Sequence, residues 1–274
     1  MTAIDVEQVV IEQDVPVGRG GDRDLLCDIY RPPAATNKHT AVIHIHGGGF
    51  TGGSNAGART APQLAALGYT CVSTQYRLAS EAKWPAQIQD IKASIRWVRS
   101  QAAGLEIEPD RVVVLGYSAG GHLALIAAGS QDQPDYEGEG GNAGLDSSVA
   151  ACVAFYPPQR YDRPDQGEHA LIGDDNSNAA YDAISPITDV RQGFPPTVLL
   201  HGTADSTIPV EASLELYNAM RASNVKVELH VIEGVTHIFD RHVEFAEAAA
   251  RWIDLFLDRH VVNPRQIAST EPGR

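Results

Sequence analysis

Residues 112–125, VVVLGYSAGGHLAL, constrain the fold more than any other segment of the 274-residue chain. An apolar run typical of a buried strand leads into a glycine-rich turn, and the residues beyond the turn have the composition of a helix. A strand that turns directly into a helix brings its flanking backbone close together, so glycine is needed at both ends of the pattern G-x-S-x-G. Ser118 is therefore predicted to project from the carboxyl edge of a sheet, with the N-terminus of a helix directly behind it.

The chain around this turn alternates short β-branched segments with longer helical patterns after residue 35. Such alternation predicts strand–helix–strand crossovers on a mainly parallel sheet. Eight segments have a strand pattern: residues 6–15, 24–32, 40–46, 69–77, 111–117, 147–156, 196–202 and 225–234. The first two alternate polar and apolar residues, as antiparallel edge strands do, whereas the central ones are nearly continuously apolar, as buried parallel strands are.

Three segments have the single apolar face of an amphipathic helix: residues 85–101, 209–224 and 243–260. Helices of this kind cover the faces of a parallel sheet. Residues 131–147 are polar and rich in glycine, and we expect them to form an exposed loop. The prediction is an α/β fold of about eight mostly parallel strands flanked by helices, with one domain over residues 1–262 and a flexible tail over residues 263–274.

The charge balance and the cysteines limit the classes of function. The net charge is -14 and no lysine or arginine cluster occurs, so the field of the chain opposes binding to nucleic acid or to an acidic membrane surface. The start of the chain has no signal-peptide pattern, and no apolar run approaches the roughly 20 residues that span a bilayer. Cys27, Cys71 and Cys152 lie in apolar strand patterns and are predicted to be buried, reduced thiols. We expect a cytoplasmic protein without a metal ion or cofactor.

Ser118 needs a general base and a carboxylate if it is to act as a nucleophile, because a serine hydroxyl alone is a weak one. Asp205 follows a buried strand in VLLHGTADSTIP, and His237 follows the last strand in VIEGVTHIFD. The chain order Ser, Asp, His is the order found in α/β-hydrolases. His237 is chosen among ten histidines because it alone lies in a glycine-preceded loop after the final strand. Glu233 is the rival acid, but it lies too close to His237 in sequence to face the ring.

A serine that attacks a carbonyl creates a negative oxygen, which backbone N–H groups must stabilise. Gly47, Gly48 and Gly49 follow an apolar strand in HIHGGGF, where glycine lets the backbone turn its amides into the site. Ala119, directly after the serine, offers another amide. We interpret these amides as an oxyanion hole and expect His46 to brace the loop by hydrogen bonding.

These motifs together resemble the α/β-hydrolase superfamily, and within it the esterases related to hormone-sensitive lipase, which carry HGGG and G-x-S-A-G-G. The segments QYRLASEAKWPAQIQDIKASIRWVR, GYSAGGHLAL and HGTADSTIPVEASLELYNAMR are similar to the branch typified by bifunctional feruloyl and acetyl xylan esterases. The resemblance covers most of the chain, from Asp24 to His260. It implies the following site residues: nucleophile Ser118, base His237, its partner Asp205, and the oxyanion-hole amides of Gly48, Gly49 and Ala119.

Two features depart from those esterases. Tyr117 stands where relatives of hormone-sensitive lipase usually have aspartate, and only 45 residues precede His46, too few for a large N-terminal cap. We therefore expect an open site, which favours short acyl groups. Phe50, Tyr117 and Tyr156 are candidates for the wall of the substrate pocket, and residues 157–194 are a candidate for controlling substrate access.

The resemblance implies a serine carboxylic-ester hydrolase that forms an acyl-enzyme with a small acetyl-like or aryl ester. An amide hydrolase such as an arylformamidase stays open as an alternative, because it shares the fold, the triad and a His-Gly-Gly loop. A peptidase would lack its usual propeller or large cap. A non-catalytic ligand-binding protein on this fold is the alternative from a different class, although all three triad positions are filled. Relatives commonly dimerise through an edge strand or a helix, so we include a homodimer among the expected assemblies.

Overall fold

The computed structural model describes residues 3–161 and 169–266 of the chain. Its strands within those ranges are β1 (Val10–Gly20), β2 (Arg23–Arg31), β3 (Ala41–Ile45), β4 (Thr70–Thr74), β5 (Val112–Tyr117), β6 (Ala151–Phe155), β7 (Thr197–Gly202) and β8 (Val227–Ile232). Its α-helices there are α1 (Ala61–Ala66), α2 (Ala86–Ser100), α3 (Ala119–Gly129), α4 (Asn178–Ala183), α5 (Glu211–Ala222) and α6 (Val243–Leu257). Short 3-10 turns include Asn55–Gly57 and Phe239–Arg241, and α6 continues into a π-helical turn at Asp258–Val262.

The strands form one eight-stranded sheet in the order β1-β2-β4-β3-β5-β6-β7-β8. β1 pairs antiparallel with β2 and β2 antiparallel with β4, while every other neighbouring pair is parallel. The predicted α/β fold with a mostly parallel sheet is therefore confirmed, although β2 lies inside the sheet rather than at its edge. Because parallel strands end at the same edge, the segments that follow β3, β5, β7 and β8 meet there.

Helices cover both faces of this sheet, and alternate residues of β5 point to opposite sides. On one face Val112 and Val114 pack into a core with apolar residues of α2, α3 and α5. On the other face Val113 and Leu115 pack with apolar residues of α1 and α6. The sheet is buried on both faces, which explains why its central strands are apolar at nearly every position.

The first strand lies later in the chain than the sequence pattern predicts. The alternation predicts a strand over residues 6–15, but β1 spans Val10–Gly20. Glycine often ends a strand, but at Gly18 it allows another backbone segment to come close. A Cβ at Gly18 would lie 2.7 Å from the carbonyl oxygen of Gly140, which also accepts a hydrogen bond from Arg19 N. Glycine continues the strand because another backbone segment passes against it.

The same approaching segment corrects the prediction of an exposed loop over residues 131–147. Part of that segment packs against α2, because Glu137 accepts hydrogen bonds from Lys92 Nζ at 2.8 Å and from Arg96 Nη1 at 2.7 Å. Both cations are almost fully buried. A buried charge needs a partner, so these ion pairs help to hold the polar segment against the helix.

The three cysteines are buried and unpaired, as the sequence predicts. Burial raises the pKa of the Cys27 thiol to about 12 and moves the pKa values of the Cys71 and Cys152 thiols in the same direction. Within residues 3–161 and 169–266, no helix has both the length and the apolar composition required to cross a bilayer. Residues 267–274 of the predicted tail lie outside the described residues, and Val261, in the π-helical turn, is buried.

Candidate active site

The turn between β5 and α3 holds Ser118 in a backbone conformation that residues with a side chain rarely adopt, with φ 53° and ψ −118°. The two flanking glycines leave no space for a side chain. A Cβ at Gly116 would lie 2.0 Å from the carbonyl oxygen of Gly120, and a Cβ at Gly120 would lie 2.1 Å from that of Ile45. The strand and the helix therefore meet so closely that the serine is placed at the tip of the turn.

Ser118, His237 and Asp205 come together at the carboxyl edge of the sheet. Nε2 of His237 lies 3.0 Å from Oγ of Ser118, and its Nδ1 lies 2.6 Å from Oδ2 of Asp205. The Asp205 side chain is completely buried, whereas the His237 side chain is 16% exposed and reaches the solvent side. In this arrangement Nδ1–H donates to the carboxylate, so Nε2 is free to accept the serine proton.

Asp205 is fixed by the loop after β7. Its Oδ1 accepts hydrogen bonds from the backbone N–H groups of Thr207 and Ile208, both at 2.9 Å. A second histidine, His201, lies with Nε2 3.3 Å from Oδ2 of Asp205, but the same nitrogen lies 2.9 Å from the carbonyl oxygen of Ile208. Burial lowers the pKa of His201, which keeps the ring neutral beside the carboxylate. His201 therefore helps to hold this loop through its contact with Ile208.

The glycine-rich segment after β3 forms a tight turn facing Ser118. Gly48 and Gly49 have φ angles of 119° and 62°, and the carbonyl oxygen of Gly48 accepts from the N–H groups of Thr51 and Gly52, both at 3.1 Å. Among the described residues, the N–H groups of Gly48, Gly49 and Ala119 donate to no protein acceptor. They are thus available to an oxygen in the site.

His46 lies behind this turn, as the sequence predicts for a bracing residue. Its ring stacks on Tyr76 with centroids 4.2 Å apart, and its Nδ1 donates to the carbonyl oxygen of Gly47 at 2.9 Å. Burial lowers the pKa of His46 to about 4, so the ring is neutral at physiological pH. The turn is therefore supported from below by a neutral, hydrogen-bonded imidazole.

A cavity of about 380 Å³ opens in front of Ser118. Its apolar lining includes the side chains of Phe50, Pro158, Tyr161, Ile208 and Ile238. Arg59 and Arg241 also line it. A larger cavity of about 840 Å³ is lined by polar side chains such as Arg19, Arg77 and Glu137, and it contains none of the predicted site residues. The smaller cavity is therefore the one that belongs to Ser118.

The three side chains predicted for the pocket wall have different positions. Phe50 lines the cavity, with its ring edge-on to His122. Tyr117 borders the cavity but is only 1% exposed, and its hydroxyl is turned into the core, 2.8 Å from Oγ1 of Thr60. Tyr156 is fully buried, so it forms no part of the described wall.

Tyr156 lies instead directly behind the catalytic candidates. Its ring centroid is 4.4 Å from that of His237, and its hydroxyl donates to Oδ1 of Asp240. Asp240 is buried as well and also accepts from Nη1 of Arg59 at 2.8 Å. The prediction of a pocket-wall role fails because residue 156 follows β6 below the cavity, where its ring packs against the back of the imidazole.

Arg59 and Arg241 line the cavity but belong to none of the motifs that predict the site. Arg59 lies between the Asn55–Gly57 turn and α1, and no pattern in the sequence marks that loop as part of the site. Arg241 lies four residues after His237, and that short spacing was a signal available in the sequence. Of residues 157–194, Pro158 and Tyr161 line the cavity, whereas residues 162–168 lie outside the described residues.

The sheet, the serine turn and the order of the loops define an α/β-hydrolase. A family model named BD-FAE matches residues 27–220, and the chain belongs to this family. Esterase LipC of Mycobacterium tuberculosis is 33% identical over 81% of this chain and 58% of its own length. Esterase LipQ of the same organism is 30% identical over 90% of this chain and 63% of its own length. The chain thus spans about three fifths of these curated relatives.

Two solved structures with a similar fold are esterases by name. A truncated carbohydrate esterase from gut microbiota superposes with a TM-score of 0.78 at 26% identity, covering 90% of this chain and 96% of that one. The apo form of Thermogutta terrifontis esterase 2 superposes with a TM-score of 0.78 at 27% identity, covering 96% of this chain and 98% of that one. These similarities confirm the fold and the family resemblance inferred from the sequence motifs.

Proposed function

We propose that this chain is a serine carboxylic-ester hydrolase with Ser118 as its nucleophile. The observation that carries the proposal is the continuous hydrogen-bonded path from Ser118 Oγ through His237 to the buried carboxylate of Asp205. The named esterases among the relatives and the solved structures support it.

The first half of the reaction forms an acyl-enzyme. Ser118 Oγ bonds to the ester carbonyl carbon while its proton passes to His237 Nε2. The carbonyl oxygen becomes negative and accepts hydrogen bonds from the free N–H groups of Gly48, Gly49 and Ala119. When the carbon–oxygen bond to the alcohol breaks, His237 gives its proton to the leaving alkoxide.

The second half repeats these steps with water. His237 Nε2 takes a proton from a water molecule, whose oxygen attacks the acyl carbon. The same amides stabilise the second oxyanion, and the bond to Ser118 breaks as His237 returns the proton to Oγ. Asp205 stabilises the protonated imidazole in both halves, and no step requires a cofactor.

The cavity supports a preference for small acyl or aryl esters. A volume of about 380 Å³ lies at the low end of the range for small-molecule sites, and the wall is mainly apolar. Structures of Thermogutta terrifontis esterase 2 have been solved with butyrate and with propionate bound. A chain with a similar fold thus accommodates short carboxylic acids, which is consistent with a short-chain preference here.

The test is a panel of 4-nitrophenyl esters from acetate to palmitate, assayed with methyl ferulate, an acetylated xylo-oligosaccharide and N-formylkynurenine. The wild type is expected to prefer the short acyl esters steeply, and Ser118→Ala to lower kcat by a factor on the order of 10⁶. Ser100→Ala, at the exposed end of α2, is the matched control. Retained turnover in Ser118→Ala would contradict the mechanism, and turnover of the formamide alone would favour an amide hydrolase.

A further inference from the structure

The charge of the Ser118 cavity differs from that of the chain. The whole sequence has 35 acidic and 21 basic residues. Within the part of the chain that the structure describes, however, the charged side chains lining the cavity are both arginines, Arg59 and Arg241. A cavity with only cations in its described wall selects for negative groups on a ligand.

Arg59 is held rigidly by one end of its guanidinium. Nη1 donates to Asp240 Oδ2 at 2.8 Å and to the Tyr156 hydroxyl at 3.2 Å, and Cζ lies 5.3 Å from the centroid of the Tyr117 ring. In the described residues no acceptor is bound by Nε or Nη2 of Arg59, and the side chain is 23% exposed. The guanidinium therefore presents a fixed edge with two free donors, the geometry that a carboxylate binds with both oxygens.

Arg241 supplies a second positive charge to the lining of the cavity. It ends the Phe239–Arg241 turn, is exposed, and forms no ion pair with any residue in the described ranges. The buried Asp240 offsets one positive charge, that of Arg59. Among the described residues, the positive charge of Arg241 is therefore left without a partner at this side of the cavity.

We propose that the cavity takes esters that carry a carboxylate on their acyl or alcohol half, with this carboxylate bound between Arg241 and the Nε–Nη2 edge of Arg59. The inference rests on the proposed function, because Ser118 is taken to attack the ester bond of the ligand whose carboxylate the arginines bind. The apolar wall holds the carbon skeleton of the substrate, and the two arginines fix its charged end. Arg59 and Arg241 are then specificity-determining residues.

The experiment compares substrates of equal shape and different charge. In the first pair, 4-carboxyphenyl acetate carries the carboxylate on its alcohol half, and 4-carbamoylphenyl acetate is its neutral match. In the second pair, mono-4-nitrophenyl adipate carries the carboxylate on its acyl half, and 4-nitrophenyl hexanoate is its neutral match. For the wild type, the ratio of kcat/KM for the carboxylate ester to that for its neutral match is expected to exceed one in at least one pair. Salt raised from about 10 mM to about 500 mM should reduce this ratio, because it screens exposed charges.

Two variants and one control identify the side chains involved. Arg241→Gln should reduce the ratio about tenfold, the effect of losing one charge-assisted contact in a partly exposed site. Arg59→Lys keeps a cation beside Asp240 but removes the free edge, so it should reduce the ratio as well. Arg221→Gln, an exposed arginine of α5 that does not line the cavity, changes the net charge equally and should leave the ratio unchanged.

A binding measurement separates this inference from the proposed function. Titration of benzoate and of benzamide into Ser118→Ala, followed by calorimetry, measures recognition without turnover. Benzoate is expected to bind about tenfold more tightly than benzamide, and Arg241→Gln in the same background should remove the difference. If esters are hydrolysed but neither the kinetic ratio nor this binding depends on the arginines, the inference is overturned and the hydrolase stands. If benzoate binds through the arginines but no ester is hydrolysed in a Ser118-dependent way, the proposed function is overturned and the anion site stands.

Discussion

His237 lies with Nδ1 2.6 Å from Oδ2 of Asp205, and this contact sets which nitrogen of the ring carries the proton. The other carboxylate oxygen is occupied by the N–H groups of Thr207 and Ile208. The carboxylate therefore cannot rotate freely, and one oxygen always faces the imidazole. Nδ1 is held as the donor, so Nε2 meets Ser118 as the acceptor.

Asp205→Asn tests this assignment of the proton. The new amide can keep its oxygen on the two backbone donors, but its NH₂ group then faces Nδ1 of His237 and forces the proton to Nε2. An imidazole in that form cannot accept from Ser118, so kcat should fall by about 10⁴-fold. Assays with 4-nitrophenyl acetate measure the fall, and urea unfolding checks that the fold is kept.

Asp110→Asn, at an exposed position, is the control for the loss of one carboxylate. It should have nearly the wild-type kcat. An Asp205→Asn variant within about tenfold of the wild type would mean that the carboxylate does not set the tautomer.

Ser118 is predicted to store backbone strain at its positive φ of 53°. Glycine adopts this conformation without strain, whereas alanine keeps the Cβ. Ser118→Gly and Ser118→Ala both remove the hydroxyl, so their difference isolates the backbone. We expect Ser118→Gly to be the more stable of the two by about 1 kcal/mol in urea unfolding. Glycine releases the backbone strain of the folded state, and this gain is only partly offset because glycine also raises the entropy of the unfolded chain.

The same pair of substitutions at Ser100 provides the reference. Ser100 is the last residue of α2, where glycine is the poorer helix former, so the order of stability should be reversed there. If alanine were also the more stable residue at position 118, the turn would not be strained.

The sheet edge could be predicted from the sequence because its signals are local. Gly116 and Gly120 mark a close backbone approach within one turn, and the apolar strands before Gly47 and Asp205 place their loops at the same edge. The structure brings Ser118, Asp205 and His237 within hydrogen-bonding distance, while their catalytic roles stay predictions. The order of these residues and their positions after strands are enough to predict that they meet, because parallel strands end at the same edge of the sheet.

Contacts that depend on distant segments could not be predicted in this way. Tyr156 has the pattern of a pocket residue, but its position behind His237 is fixed by Asp240, which is 84 residues away in the chain. Arg59 reaches the cavity because the same Asp240 holds its Nη1. Gly18 belongs to β1 because the backbone of Gly140 passes beside it. Neither composition nor periodicity carries information on such pairings.

Tyr156→Phe tests the buried contact behind His237. The phenylalanine ring can still pack against the imidazole, but Asp240 loses a donor at Oδ1 while its carboxylate stays fully buried. An under-satisfied buried carboxylate costs about 1–3 kcal/mol, so the free energy of unfolding should fall by that amount. Urea unfolding measures the loss.

Tyr217→Phe is the matched substitution. The Tyr217 hydroxyl forms no hydrogen bond with the described residues, so the stability of that variant should change by less than about 0.5 kcal/mol. Equal effects at positions 156 and 217 would argue that the contact with Asp240 contributes nothing to stability.

Two buried histidines predict how stability depends on pH. Burial lowers the pKa of His44 to about 3 and that of His122 to about 4, whereas an imidazole in the unfolded chain titrates near 6.5. Below about pH 6.5 the unfolded state therefore binds protons that the native state does not, and the free energy of unfolding falls as the pH is lowered. Each histidine contributes about 1.4 kcal/mol per pH unit to this slope until its native pKa is reached.

His44→Gln isolates one of these contributions. Glutamine does not titrate, so the slope of unfolding free energy against pH between about 6 and 4 should become shallower by about 1.4 kcal/mol per pH unit. The slope is informative even if the variant is less stable at every pH, because lost packing shifts the whole curve without tilting it. His242→Gln, at an exposed position, is the control. Parallel curves for the wild type and His44→Gln would show that the buried ring is protonated in the folded protein as readily as in the unfolded chain.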